Sequence, residues 1–131
     1  MSAAGEPTPE PAYGWYGDDF TGATDTLSTI ARRGQRAFLF LDVPSEEHLA
    51  AVGTLHAIGI AGAARTMTPA QMREKLPAIG RFFADRGVRL LHYKCCSTFE
   101  SAPEVGNLAV AIEILRGEVA NPLVPIVGGQ P

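Results

Sequence analysis

The sequence predicts an α/β domain of Rossmann-like, three-layer form, with a mainly parallel sheet and helices on both faces. Two observations carry this expectation. From Tyr13 onward, short apolar runs alternate with segments of helical period, the pattern of successive βα units. The helical segments concentrate apolar residues on one face and open on polar capping residues, as helices laid against a sheet do. Five apolar runs are present, so a sheet of about five strands is expected.

Residues 1–12 hold three of the ten prolines among small and acidic residues. Such a segment buries too little apolar surface to offset its ordering entropy, and a disordered tail is expected there. A first strand, Tyr13–Tyr16, ends at Gly17-Asp18-Asp19, and Ala23, Leu27, Ile30 and Ala31 then repeat at helical spacing until Gly34. Arg36–Leu41 reads as a second strand. Pro44-Ser45-Glu46-Glu47 opens a short helix whose first turn is acidic, which suits the helix dipole. Thr54–Ala61 forms the third strand.

Thr68-Pro69-Ala70-Gln71 has the form of a capping box with proline at the first helical position, and Met72, Leu76, Ile79 and Phe83 line one face behind it. Val88–Tyr93 is the fourth strand. Ser101-Ala102-Pro103-Glu104 repeats the capping-box pattern ahead of Val105, Leu108, Ile112 and Leu115. Leu123–Val127 is the fifth strand, followed at once by Gly128-Gly129-Gln130-Pro131. The sequence therefore reads as one incomplete domain over residues 13–131, its last strand covered by downstream sequence or by another chain, as in a homo-oligomer.

Composition narrows the function. At 131 residues and 46% hydrophobic, with mean hydropathy near zero, the chain suits a single globular core. Eleven basic residues stand against 14 acidic ones, for a net charge of −3, and no basic stripe is present to neutralise nucleic-acid phosphates. No apolar run approaches membrane-spanning length, and the N-terminus lacks the charge and apolar core of a secretory signal. Cys95 and Cys96 are adjacent, an awkward geometry for a disulfide and the wrong spacing for zinc. Reduced thiols and a cytoplasmic location are expected.

In an open parallel sheet, ligands bind beyond the carboxyl ends of the strands. The residues with chemistry lie in those loops: Asp18, Asp19 and Thr21 after strand one, Arg65 after strand three, Lys94 through Thr98 after strand four, and Gly128 and Gly129 after strand five. The stretch Gly17-Asp18-Asp19-Phe20-Thr21-Gly22-Ala23-Thr24-Asp25 stands about 75 residues before Tyr93-Lys94-Cys95-Cys96-Ser97-Thr98-Phe99-Glu100-Ser101, with Gly106-Asn107 beyond. Together these motifs resemble the four-carbon acid sugar kinase family, whose members carry an ADDFTGA-like opening and a K-x-CSTFDS-like segment. The resemblance runs from about Tyr13 to the C-terminus and reaches only the family's N-terminal substrate-binding domain. Gly17 stands where alanine is usual, and Glu100 where aspartate is usual.

The resemblance implies ATP-dependent phosphorylation, with Mg²⁺ accompanying ATP, of a terminal hydroxyl on threonate, erythronate or an oxo-tetronate. Asp19 and Asp18 then serve as catalytic candidates, one of them taking the proton of the attacking hydroxyl. Both also bind substrate hydroxyls, together with Thr21 and Gly22. The substrate's carboxylate, repelled by the aspartates, is expected at the far end against Arg65 or Lys94. Ser97 and Thr98 are expected to add hydroxyls and, at a helix start, free N–H donors.

Cys96 has no histidine placed to activate it, and His48, His56 and His92 share no metal-ligand spacing, so neither covalent catalysis nor a protein-bound metal is expected. Neither G-x-x-x-x-G-K-[ST] nor G-x-G-x-x-G after a strand is present, which leaves ATP to be held elsewhere. Two other readings remain open to the sequence: a stand-alone small-acid-binding module or inactive remnant, and an unrelated Rossmann-like enzyme using Asp18 and Asp19 as metal ligands.

Overall fold

A computed structural model describes residues 11–128. Its elements run β1 (Tyr13–Gly17), α1 (Phe20–Arg32), β2 (Ala37–Phe40), α2 (Glu46–Val52), β3 (Ala57–Ala61), a 3-10 turn (Ala64–Thr66), α3 (Pro69–Asp85), β4 (Leu90–Lys94) and α4 (Leu108–Glu118). The four strands form one all-parallel sheet in the order β2-β3-β1-β4. Most of the expected tail lies outside the described residues. Ala12 is tied down, its carbonyl accepting the N–H groups of Arg89 and Leu90 ahead of β4.

Alternation along β1 assigns its side chains to two layers. Trp15 points to the α1 side, where it is wholly buried and its indole Nε1 donates to the Ala23 carbonyl at 3.1 Å. Its ring lies across Gly59 of the neighbouring strand, where a Cβ would come within 2.2 Å of the indole. Tyr16 points the other way, into a core with Ile58, Ile60, Met72, Leu76 and Phe83. Helices α3 and α4 cover that face, crossing closely where Gly80 meets Leu115 and Glu118. Thr68 and Gln71 form the capping box of α3, each side chain bonded to the other residue's backbone N–H.

Two expectations fail. Leu123–Val127 pairs with no strand among the described residues, and Leu123, Ile126 and Val127 stay largely exposed. A parallel edge strand gains one ladder of hydrogen bonds, too little while both its faces remain wet. The sheet therefore has four strands instead of five. The pattern Ser101–Glu104 also starts no helix. Gly106, at φ +60, turns the chain, and Asn107 caps α4 by accepting the Val110 N–H at 3.1 Å. Asparagine at a helix start outcompetes a motif whose helix would have carried Gly106 in its second turn. Ser101 still helps, its hydroxyl accepting the Leu108 N–H.

Among the described residues no helix is long and apolar enough to cross a membrane.

Candidate functional site

The carboxyl ends of β1, β3 and β4 lie side by side, and backbone hydrogen bonds continue past them. Asp18 N–H donates to the Lys94 carbonyl (3.0 Å), Gly62 N–H to Gly17 (2.9 Å), and Arg65 N–H to Asp18 (3.2 Å). Three loops are thereby stitched into one cleft of about 550 Å³, lined by Asp18, Asp19, Gly62, Arg65 and Glu100, with Phe20 and Val105 among its other walls.

Asp19 is the N-cap of α1, its Oδ1 accepting the Gly22 N–H at 2.7 Å. Its Oδ2 accepts from Arg65 Nη1 at 3.2 Å. Both oxygens are thus engaged. A side chain at Gly22 would crowd this cap, since a Cβ there lies 2.9 Å from Asp19 Oδ1. At Gly17 a Cβ would come within 2.5 Å of the Ala23 Cβ, so the glycine found here permits a tighter approach of β1 to α1 than alanine does.

Asp18 differs in every respect. It is 2% exposed, and its Oδ1 has no hydrogen-bond partner. Burial, then the neighbouring Asp19 charge, pushes its carboxyl up to about 6, while Arg65, the Cys96 backbone N–H and Lys94 pull the other way. Tyr16 and Tyr93 stack nearby with ring centroids 5.6 Å apart, both hydroxyls buried and unpartnered. Burial raises both phenols, Tyr16 to about 12, and the Asp18 charge adds to each. Three polar atoms, Asp18 Oδ1 and the Tyr16 and Tyr93 hydroxyls, are thus buried without partners, and of these three residues Asp18 alone lines the cleft.

Arg65 stands elsewhere than expected. Instead of facing the aspartates from the far end, it bonds Asp19 on one edge and Glu100 on the other, with Nε and Nη2 reaching Glu100 Oε2 at 3.2 and 2.9 Å. The hydrogen bond from its backbone N–H to Asp18 draws it there, a contact no sequence pattern announces. Lys94 ends β4, half-buried, and donates from Nζ to the Cys95 carbonyl at 2.9 Å near Gly22.

Thr21 is exposed in the first turn of α1. Ser97 and Thr98 occupy an exposed turn closed by Phe99 N–H on the Cys96 carbonyl, with α4 starting only at Leu108, so they stand at no helix N-terminus. None of Thr21, Gly22, Lys94, Ser97 and Thr98 lines the cleft. Gly128 rests against the Phe99 ring, and Gly129 lies outside the described residues.

Sequence reasoning missed Glu100 as a cleft residue and Tyr16 and Tyr93 as its neighbours. For Tyr16 a signal existed: the alternation that buries it continues two residues on to Asp18. Cys95 and Cys96 are both free thiols. The Cys96 thiol is lowered by the Thr98 backbone N–H and hydroxyl, the Cys95 thiol raised by burial. Among the described residues no group of three or more His, Cys, Asp and Glu is arranged to hold a metal ion.

Known proteins are similar to this chain in sequence and in fold. The 3-oxo-isoapionate kinase of Paraburkholderia graminis is 38% identical over 117 residues, spanning 89% of this chain and 25% of that protein. The 3-oxo-tetronate kinase of Pseudomonas fluorescens is 35% identical over 108 residues, spanning 82% and 24%. A solved structure from Salmonella typhimurium LT2, provisionally described as a tRNA synthase, superposes with a TM-score of 0.72 at 27% identity, covering 83% of this chain and 26% of that one. The chain thus spans about a quarter of the length of the curated relatives it matches. A family model described as "Sugar-binding N-terminal domain" matches residues 13–131, every element from β1 onward, and the chain belongs to that family.

Proposed function

We propose that this domain is the acceptor-binding part of an ATP-dependent kinase, and that its cleft holds a four-carbon sugar acid such as threonate, erythronate or an oxo-tetronate. The observation that carries the reading is Asp18, a buried carboxylate lining the cleft with one oxygen unpartnered. A terminal hydroxyl donating to Asp18 Oδ1 satisfies that oxygen. As the hydroxyl oxygen attacks the γ-phosphorus of ATP and the bond from that phosphorus to the bridging oxygen breaks to release ADP, the hydroxyl proton passes to Asp18, whose carboxyl near 6 is mostly ionised at neutral pH and still basic enough to take it.

Asp19 is the weaker candidate for the base, because its oxygens are spent on Gly22 and Arg65. Its role is to hold α1 and the guanidinium in position. Arg65 is the partner for the substrate's acid group, a planar fork matched to a carboxylate. The donor set does not fit a resident Mg²⁺, since Asp19 offers no free oxygen beside Asp18. ATP and its Mg²⁺ belong, in this reading, to the remaining three quarters of a full-length kinase of the kind the relatives represent. The chain alone is expected to bind acid and turn over nothing. The free thiols and a net charge of −3 support a cytoplasmic metabolic role over contact with nucleic acid.

Turnover by the full-length protein carrying Asp18→Asn tests this assignment. Loss of a general base predicts a fall in kcat of about 10²- to 10⁴-fold with little change in KM. An unchanged kcat contradicts it.

A further inference from the structure

We propose that Glu100 competes with the substrate's carboxylate for Arg65, so that exchange of one carboxylate for the other governs which anions the cleft accepts. This rests on the sugar-acid reading above. Glu100 Oε2 takes both Nε and Nη2 of Arg65, the same guanidinium edge that a substrate carboxylate would engage bidentately. The other edge is held by Asp19, which cannot leave without uncapping α1.

Of the three partners, only Glu100 is free to move. Its side chain is 59% exposed against 30% for Asp19, and its hydrogen bonds go to Arg65 alone among the described residues. Arg65 is clamped from behind. Its N–H is bonded to Asp18, and Gly106 presses so closely on its carbonyl that a Cβ there would stand 2.6 Å from the oxygen. The loop carrying Glu100 passes through Phe99 at φ +52, a left-handed conformation that costs a residue with a side chain.

Charge makes the exchange necessary. Asp18, Asp19 and Glu100 line the cleft against the single cation Arg65. An anionic substrate that leaves Glu100 in place meets a surplus of negative charge with the guanidinium already shared. Displacing Glu100 toward solvent frees the cation and removes one repulsive carboxylate together.

The test is calorimetric titration of the chain, Glu100→Gln and Glu104→Gln with threonate and with the uncharged polyol threitol. Exposed ion pairs of this kind predict a gain of about 1.5- to 5-fold in threonate affinity for Glu100→Gln, with threitol unchanged. Glu104, on the same loop and without contact to Arg65, is expected to change neither. Unchanged or weaker threonate binding by Glu100→Gln, or an equal gain from Glu104→Gln, overturns the proposal. A second readout does not depend on the sugar-acid reading: the Arg65 Nε–H resonance, followed during titration with sodium acetate at constant ionic strength. It is expected to respond at lower acetate concentration in Glu100→Gln than in the unaltered chain; identical responses overturn the exchange whatever the natural substrate.

Discussion

Replacing Asp18 by asparagine is predicted to stabilise the domain by an amount that sets in as pH rises past the carboxyl's ordinary value of 3.8 and is complete above about 6. In the folded chain that carboxyl titrates near 6, against an ordinary value of 3.8, because burial penalises its charge. Between these values the folded state binds more protons than the unfolded state, so stability falls as pH rises through the interval. The gap corresponds to at most about 3 kcal/mol once Asp18 is ionised in both states. Asparagine carries no charge and escapes this penalty, although its buried amide still needs partners, for which the Tyr16 and Tyr93 hydroxyls are available. For a domain of this size the ceiling translates to roughly 10 °C in Tm. Thermal unfolding of both proteins should be recorded from pH 4 to pH 8. The difference in Tm is expected to be smallest near pH 4 and to grow in favour of Asp18→Asn until about pH 7. A difference independent of pH, or one that shifts toward the unaltered chain as pH rises, refutes the claim that Asp18 is a strained, functionally poised carboxylate.

Two further substitutions, with a third as control, probe the scaffold that positions the site. Gly59→Ala puts a methyl within 2.2 Å of the buried Trp15 indole, and overpacking of this kind is expected to cost about 1–3 kcal/mol in urea unfolding. Asn107→Ala removes the cap of α4 and is expected to cost about 0.5–2 kcal/mol, whereas Glu104→Ala, at the motif that starts no helix, is expected to leave stability within about 0.5 kcal/mol.

The parts of this fold that were legible in the sequence are those whose causes are local. The α3 start could be read because Thr68 and Gln71 lie three residues apart and satisfy one another's backbone groups. The strand–loop–helix at Asp18-Asp19 could be read because an apolar run gives way to a capping residue and a helical period. The failures are non-local. A fifth strand depends on what lies against it, which Leu123–Val127 does not encode. The start of α4 turned on a competition between Ser101 and Asn107, decided by the positive φ of Gly106 and its close packing on Arg65.

The site divides in the same way. Loops at the carboxyl ends of parallel strands were identifiable from the strand pattern, and Asp18, Asp19 and Arg65 meet there. Their pairing was not identifiable. Coulomb repulsion alone separates aspartates from an incoming acid, which argued for Arg65 at a distance, but the bond from Arg65 N–H to the Asp18 carbonyl brings the guanidinium beside Asp19. Glu100, 35 residues from Arg65 in sequence, could be assigned to the cleft only once β3 and β4 had been set on either side of β1.

The central claim is that this cleft binds a four-carbon sugar acid through Asp18 and Arg65. Its most direct test is calorimetric titration of the chain with threonate, erythronate and 3-oxo-tetronate, repeated with Arg65→Ala. Saturable binding of at least one of these acids, weakened about 10-fold or more when the guanidinium is removed, is the predicted result. Binding that survives Arg65→Ala undiminished, or no binding of any of the three, contradicts it.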